Sequence, residues 1–250
     1  GRLAMRHEYG FMTSVCVAAV LALGGAKADA APIFIDWGVV GPDQGSFTLN
    51  GSPGTVRASA DGLGGEAALT GAARRDTAPG FDPAFFGEDP TGQEFGTARV
   101  SEGTAAIGGG EFTLEFSFLV EDPLIHFLNL TASVVDFSAT PATPVLVSGN
   151  PQFEVARGLV NTLSFPSVNS GCEAPDGSNP NGGCGSVQLF GLFSSISFSA
   201  IDQFDDDGAD AFAFTLSIDS STVPLPGSLP LLAGALVLGA RLRRSAQKAR

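Results

Sequence analysis

No lysine occurs between Lys27 and Lys248, and only one histidine, His126, lies beyond position 7. Both methionines and the single tyrosine fall within the first twelve residues, and Trp37 is the only tryptophan. Such a chain lacks the phosphate-cradling lysines, histidine metal clusters and Schiff-base lysines on which large enzyme classes depend. Positive charge is scarce throughout the middle. Between Ala31 and Ala240, five arginines (Arg57, Arg74, Arg75, Arg99, Arg157) stand against 24 acidic residues, a formal charge of −19 for a span within a chain of net −13. A surface of that sign repels phosphate backbones and excludes nucleic acid as a partner. It suits a secreted protein that must stay soluble, or one that collects divalent cations.

Long helical patterns are also missing between positions 31 and 220. What stands there is 19 phenylalanines, 26 glycines and a recurring two-residue period. In "FTLEFSFLV" (Phe112 to Val120), Phe112, Leu114, Phe116 and Phe118 share one face, with Thr113, Glu115 and Ser117 opposite. "AFAFTLSI" (Ala211 to Ile218) and "SISFSAI" (Ser195 to Ile201) repeat the scheme. Weaker strand signals cover 33–40, 45–50, 54–60, 97–101, 123–129, 131–138, 144–148, 153–159 and 187–193. "GEAALTGAARR" (Gly65 to Arg75) and "DPAFFG" (Asp82 to Gly87) read as short helices or turns, and 76–96 as a long loop. About a dozen one-faced strands imply two packed antiparallel sheets, a single jelly-roll-like β-sandwich over 31–222.

Residues 1–30 read as a secretory signal helix. Arg2 and Arg6 precede the apolar stretch Ser14 to Leu23, and Ala28 and Ala30 supply the small residues for cleavage after Ala30. Cys16 leaves with that segment, so Cys172 and Cys184 remain as an even pair around "EAPDGSNPNGG". Two thiols without further Cys or His cannot fill a zinc site, and a disulfide closing this loop stabilises by about 3 kcal/mol.

Four features invite a chemical reading. Asp205, Asp207 and Asp210, around Gly208, offer oxygens of the kind calcium takes. Gln203 and Phe214 stand where an EF-hand loop needs acids, so a solvated acidic connection is the favoured reading. His126 alternates with Ile125 and Phe127 and has no nucleophile or orienting acid nearby in sequence, which favours a structural role. Paired glycosidase carboxylates cannot be picked out of 24 acids, and Glu121 with Asp122 reads equally as a strand-edge turn. Trp37 offers a sugar-stacking ring, but its position suits a core residue better.

The end of the chain is "VPLPGSLPLLAGALVLGARLRR" (Val223 to Arg244). From Val223 to Ala240 it spans 18 uncharged residues, about 27 Å if wholly helical, barely the thickness of a bilayer core. Pro224, Pro226 and Pro230 oppose helix in the first turns. Arg241, Arg243 and Arg244 follow as a basic stop that stays cytoplasmic. A soluble amphipathic helix is excluded because the run has no polar face.

A proline motif, an apolar segment and a basic cluster in that order resemble the PEP-CTERM sorting signal of Gram-negative bacteria, in its VPLPA variant. Val223, Pro224, Leu225 and Pro226 match, with Gly227 in place of the usual alanine. The resemblance covers 223–250. It implies a transient membrane helix recognised by an exosortase, a membrane cysteine transpeptidase, with removal of the tail and passage through the inner membrane to the cell surface or extracellular matrix. It also implies association with exopolysaccharide. The expectation is a non-enzymatic exported protein, handled by the secretion machinery and needing no cofactor unless calcium binds. A lectin-like or adhesive carbohydrate-binding sandwich and a secreted hydrolase are the alternatives.

Overall fold

Alternation of phenylalanine with small polar residues commits most of the chain to strands that bury one face. The computed structural model describes residues 31–60, 66–74, 81–101, 109–130, 133–162, 172, 182–202 and 209–220. Fourteen strands run through them. In order they are β1 (Ile33–Val40), β2 (Gln44–Leu49), β3 (Ser52–Ala60), β4 (Glu66–Arg74), β5 (Glu94–Ser101), β6 (Gly109–Glu121) and β7 (Leu124–Leu130). There follow β8 (Ser133–Asp136), β9 (Val145–Gly149), β10 (Phe153–Ala156), β11 (Leu159–Thr162), β12 (Gly183–Gln188), β13 (Leu192–Asp202) and β14 (Ala209–Ile218). The helical content of the described residues is one 3-10 turn, Pro83–Phe85, capped by Asp82, whose Oδ1 accepts the Ala84 N–H at 2.9 Å.

Every strand pair is antiparallel, as expected for an all-β chain. The hydrogen-bonded path runs β10-β11-β8-β13-β6-β3-β2-β1-β14-β7-β12-β9, with β5 joining β14 to β4. β1 links the halves by changing partner: Ile33 and Phe34 pair with β14, and Ile35 onwards with β2. The sheet therefore curls onto itself as a near-closed, barrel-like layer. Its halves face each other through phenylalanines, with Phe112 against Phe212 and Phe214, and Phe198 against Phe127 and Phe214, at centroid distances of 5.4–6.3 Å. Closure is tight where β4 approaches β6: a side chain at Gly110 would collide with Ala67.

Three sequence expectations need correction. Residues 66–74 form strand β4, not a helix or turn. Ala67 and Leu69 enter the core opposite Val100 and Ala98, and pairing with β5 outweighs the helix propensity of the alanines. The single strand expected over 153–159 is a hairpin, turning at Arg157 and Gly158 with φ of 55° and 82°. Two consecutive left-handed residues make the tight turn that right-twisted strands favour. The strand expected over 187–193 ends at Gln188, and β13 restarts at Leu192 after Gly191 (φ 137°). The signal helix and the C-terminal hydrophobic helix lie outside the described residues.

Candidate functional site

The β5-β14-β7-β12 half of the sheet is covered on both faces. Inward-facing Ile125, Phe127, Phe212, Phe214 and Leu216 belong to the main core. On the outer face, Phe86, Phe95, Leu128 and Ala213 cluster with Cys172 and Cys184, and Phe81 and Phe85 pack against them. The Asp82–Pro90 segment thus lies across the sheet as a strap. Phe86 anchors it by stacking on Phe81 (5.6 Å) and tilting against Phe95 (6.2 Å). Cys172 and Cys184 are joined by a disulfide with a Cα–Cα distance of 5.5 Å, and both residues are fully buried.

Beneath the strap lies the most concentrated polar chemistry among the described residues. β12, β7 and β14 run side by side, with Ser186 and Thr215 in register with His126 from either side. The His126 ring bonds to both neighbouring strands, Nδ1 to Ser186 Oγ at 2.7 Å and Nε2 to Ser217 Oγ at 2.8 Å. Ser217 Oγ donates to Glu88 Oε2 at 2.5 Å, and Gly87 N–H donates to Ser186 Oγ at 3.3 Å. The two ends of the chain are therefore adjacent residues of the strap.

Satisfying every group assigns the proton positions. An ionised Glu88 only accepts, so Ser217 gives it its one proton and in turn accepts the Nε2–H. Nδ1 is then bare and accepts the Ser186 proton, while Ser186 oxygen accepts from Gly87. All bonds point one way, from the strap's amide through three strands to the strap's carboxylate. Burial drives His126 down from 6.5 to about 3, so the ring is neutral, as this chain requires. Desolvation raises the Glu88 carboxyl; the Ser217 bond opposes this and the nearby Asp219 charge adds to it.

A serine, a histidine and an acid in one chain have the parts of a nucleophilic relay, but their placement determines what they can do. Ser186, Ser217 and His126 have no exposed surface, and Phe34 and Phe86 flank the ring at 5.2 and 6.1 Å. In this arrangement no substrate atom reaches Ser186. The chain ties the strap to three strands and satisfies polar groups that burial would otherwise penalise. Thr215 Oγ1, beside it, is buried without a hydrogen-bond partner among the described residues.

Sequence reading placed His126 in a structural role but missed its partners, which lie 38 to 91 residues away. The available signal was polarity inside otherwise apolar strands: Ser186 in β12, and Thr215 and Ser217 in β14. Trp37 is a core residue, edge-on to Phe47 and Phe214, and its Nε1 has no partner among the described residues. Glu121 ends β6 and Asp122 turns the chain (φ 46°), its Oδ1 accepting the Gly191 N–H at 2.7 Å. Asp205 and Asp207 lie outside the described residues. Asp210 is in β14, its backbone opposite Val100. Ala28, Ala30, the motif from Val223 to Gly227, and Arg241, Arg243 and Arg244 also lie outside.

Comparison with protein-family models, curated protein sequences and solved structures gave no match. The site is therefore interpreted from its own geometry.

Proposed function

We propose that this is an exported, non-enzymatic cell-surface or matrix protein, a jelly-roll-like β-sandwich delivered by an N-terminal signal (1–30) and sorted through its C-terminal tail (223–250). The observation that carries the reading is the Cys172–Cys184 disulfide, closed between the two cysteines that survive cleavage after Ala30. Such bonds persist in oxidising compartments and are rare in the cytosol. The sealed Ser–His–Ser chain supports a structural rather than catalytic role for the only histidine beyond position 7. The acidic surface supports solubility outside the cell and opposes nucleic-acid binding.

In this reading the secretion machinery and an exosortase-like transpeptidase are the protein's transient partners, the inner membrane is a way station, and exopolysaccharide is its surroundings. Protein recovered from the cell surface is expected to take up alkylating reagent at neither Cys172 nor Cys184 until reduced. Reduction should then lower its stability by about 3 kcal/mol, the chain-entropy value for a loop of this length. Free thiols in the surface-recovered, unreduced protein would overturn the assignment.

A further inference from the structure

β4 is the outer strand beside β5, and its far edge meets the turn between β1 and β2. Leu69 N–H donates to Pro42 C=O at 2.8 Å, and Gly41 N–H closes the turn on Gln44 C=O at 2.8 Å. Next to this junction lies a groove of about 600 Å³, lined by Val40, Pro42, Ala68, Leu69, Thr70 and Arg99. That volume is in the range of small-molecule sites, and the walls are mostly apolar with few polar groups, as such sites usually are.

Arg99 gives the groove its chemistry. On β5 its register partners are Ala68 on β4 and Ala211 on β14, so a methyl group rather than an acid faces it from either side. It is exposed and forms no ion pair with a described residue, whereas Arg57 lies 3.8 Å from Glu115. Among the described residues that line the groove, none is an acid. Among the described residues this guanidinium has no carboxylate partner, although it stands at an apolar groove in a span carrying 24 acids. Its planar fork matches a carboxylate with two parallel hydrogen bonds. The surrounding negative field disfavours a dianion more than a monoanion, and physiological salt screens charges beyond about 8 Å but not a direct contact.

We propose that this groove binds a small monocarboxylate, with its carboxylate on Arg99 and its apolar face against Val40, Pro42 and Ala68. A sugar acid, with its ring C–H face, and a hydrocarbon acid share this chemistry. The test titrates the purified full chain by calorimetry with glucuronate and with cyclohexanecarboxylate, each beside its uncharged primary amide. At least one acid is expected to bind saturably, with its amide weaker by about 10-fold or more, the usual worth of a charge-assisted bond. Whichever acid binds identifies the source. Arg99→Gln should weaken binding by about 10-fold or more, and Arg99→Lys, which keeps charge but loses the fork, by less. Ala68→Phe, which fills the groove while retaining Arg99, should abolish it. The proposal is overturned if neither acid saturates by about 20 mM, a level at which even weak specific sites fill. Equal binding of acid and amide, or unchanged affinity in a folded Arg99→Gln protein, would also overturn it.

Discussion

Replacing Phe198 with alanine is expected to destabilise the domain by about 3–5 kcal/mol, the range for a fully buried aromatic truncated in a core that collapses only partly. Phe198 has no exposed surface and sits where the two halves of the sheet meet. Its ring lies 5.4 Å from Phe112, Phe137 and Phe214 and 6.1 Å from Phe127. Truncation removes contacts to β6 and to β7 and β14 together, so no single strand can shift to refill the space. Such a loss is a large fraction of the net stability of an ordinary domain. Urea denaturation followed by fluorescence or circular dichroism reads it directly. A loss below about 1 kcal/mol would mean that the halves do not pack through this residue.

The second large effect concerns acid. His126 is held near a pKa of about 3 in the folded chain against 6.5 in the unfolded one. A depressed folded value means that the unfolded chain takes up the proton first. The stabilisation is therefore full above about pH 6.5 and is lost progressively as pH falls towards 3. At roughly 1.4 kcal/mol per unit, the loss from this one ring is on the order of 5 kcal/mol. Glu88 acts in the opposite sense, because its folded pKa is raised. Its contribution is present below the ordinary carboxylate range and fades as pH rises through the raised value, which offsets part of the acid loss. Protonation of the other acids also relieves the repulsion of a −13 chain, so the variant comparison isolates His126.

His126→Leu should be less stable than the parent by about 2–4 kcal/mol at pH 7.5, since it strands the Ser186 and Ser217 hydroxyls. Its stability should then fall less steeply than the parent's between pH 6.5 and 4. Denaturation curves at four or five pH values give both slopes. Parallel slopes in parent and variant would refute a neutral, sealed imidazole.

The sequence made the class of fold legible because Phe112, Leu114, Phe116 and Phe118 alternate over one long strand, and Phe212, Phe214, Leu216 and Ile218 over another. Alternation reports one buried face and nothing more. β7 was harder to read: its outer face is also buried, beneath the strap, so its apolar signal does not alternate. β4 was misread because alanine spaced by glycine and threonine says helix or turn locally, while β5 supplies the ladder that makes it a strand. The His126 chain was illegible because hydrogen bonds between neighbouring strands join residues 60 and 91 positions apart. The Arg99 groove was hidden for the same reason, since its walls come from the β1–β2 turn, β4 and β5. The cysteines stood out because only Cys172 and Cys184 lie beyond position 16.

The central claim is that the chain is exported and its tail is a label rather than a lasting anchor. Intact-mass measurement of the protein released from the surface of its host, with and without the exosortase, tests it most directly. The expected mature species begins at Ala31 and ends near the Val223–Gly227 motif when the exosortase is present, and retains the tail when it is absent. A surface form that begins at Ala31 yet still carries Arg241 to Arg250 in the presence of the exosortase would contradict the account and identify a permanent single-pass anchor.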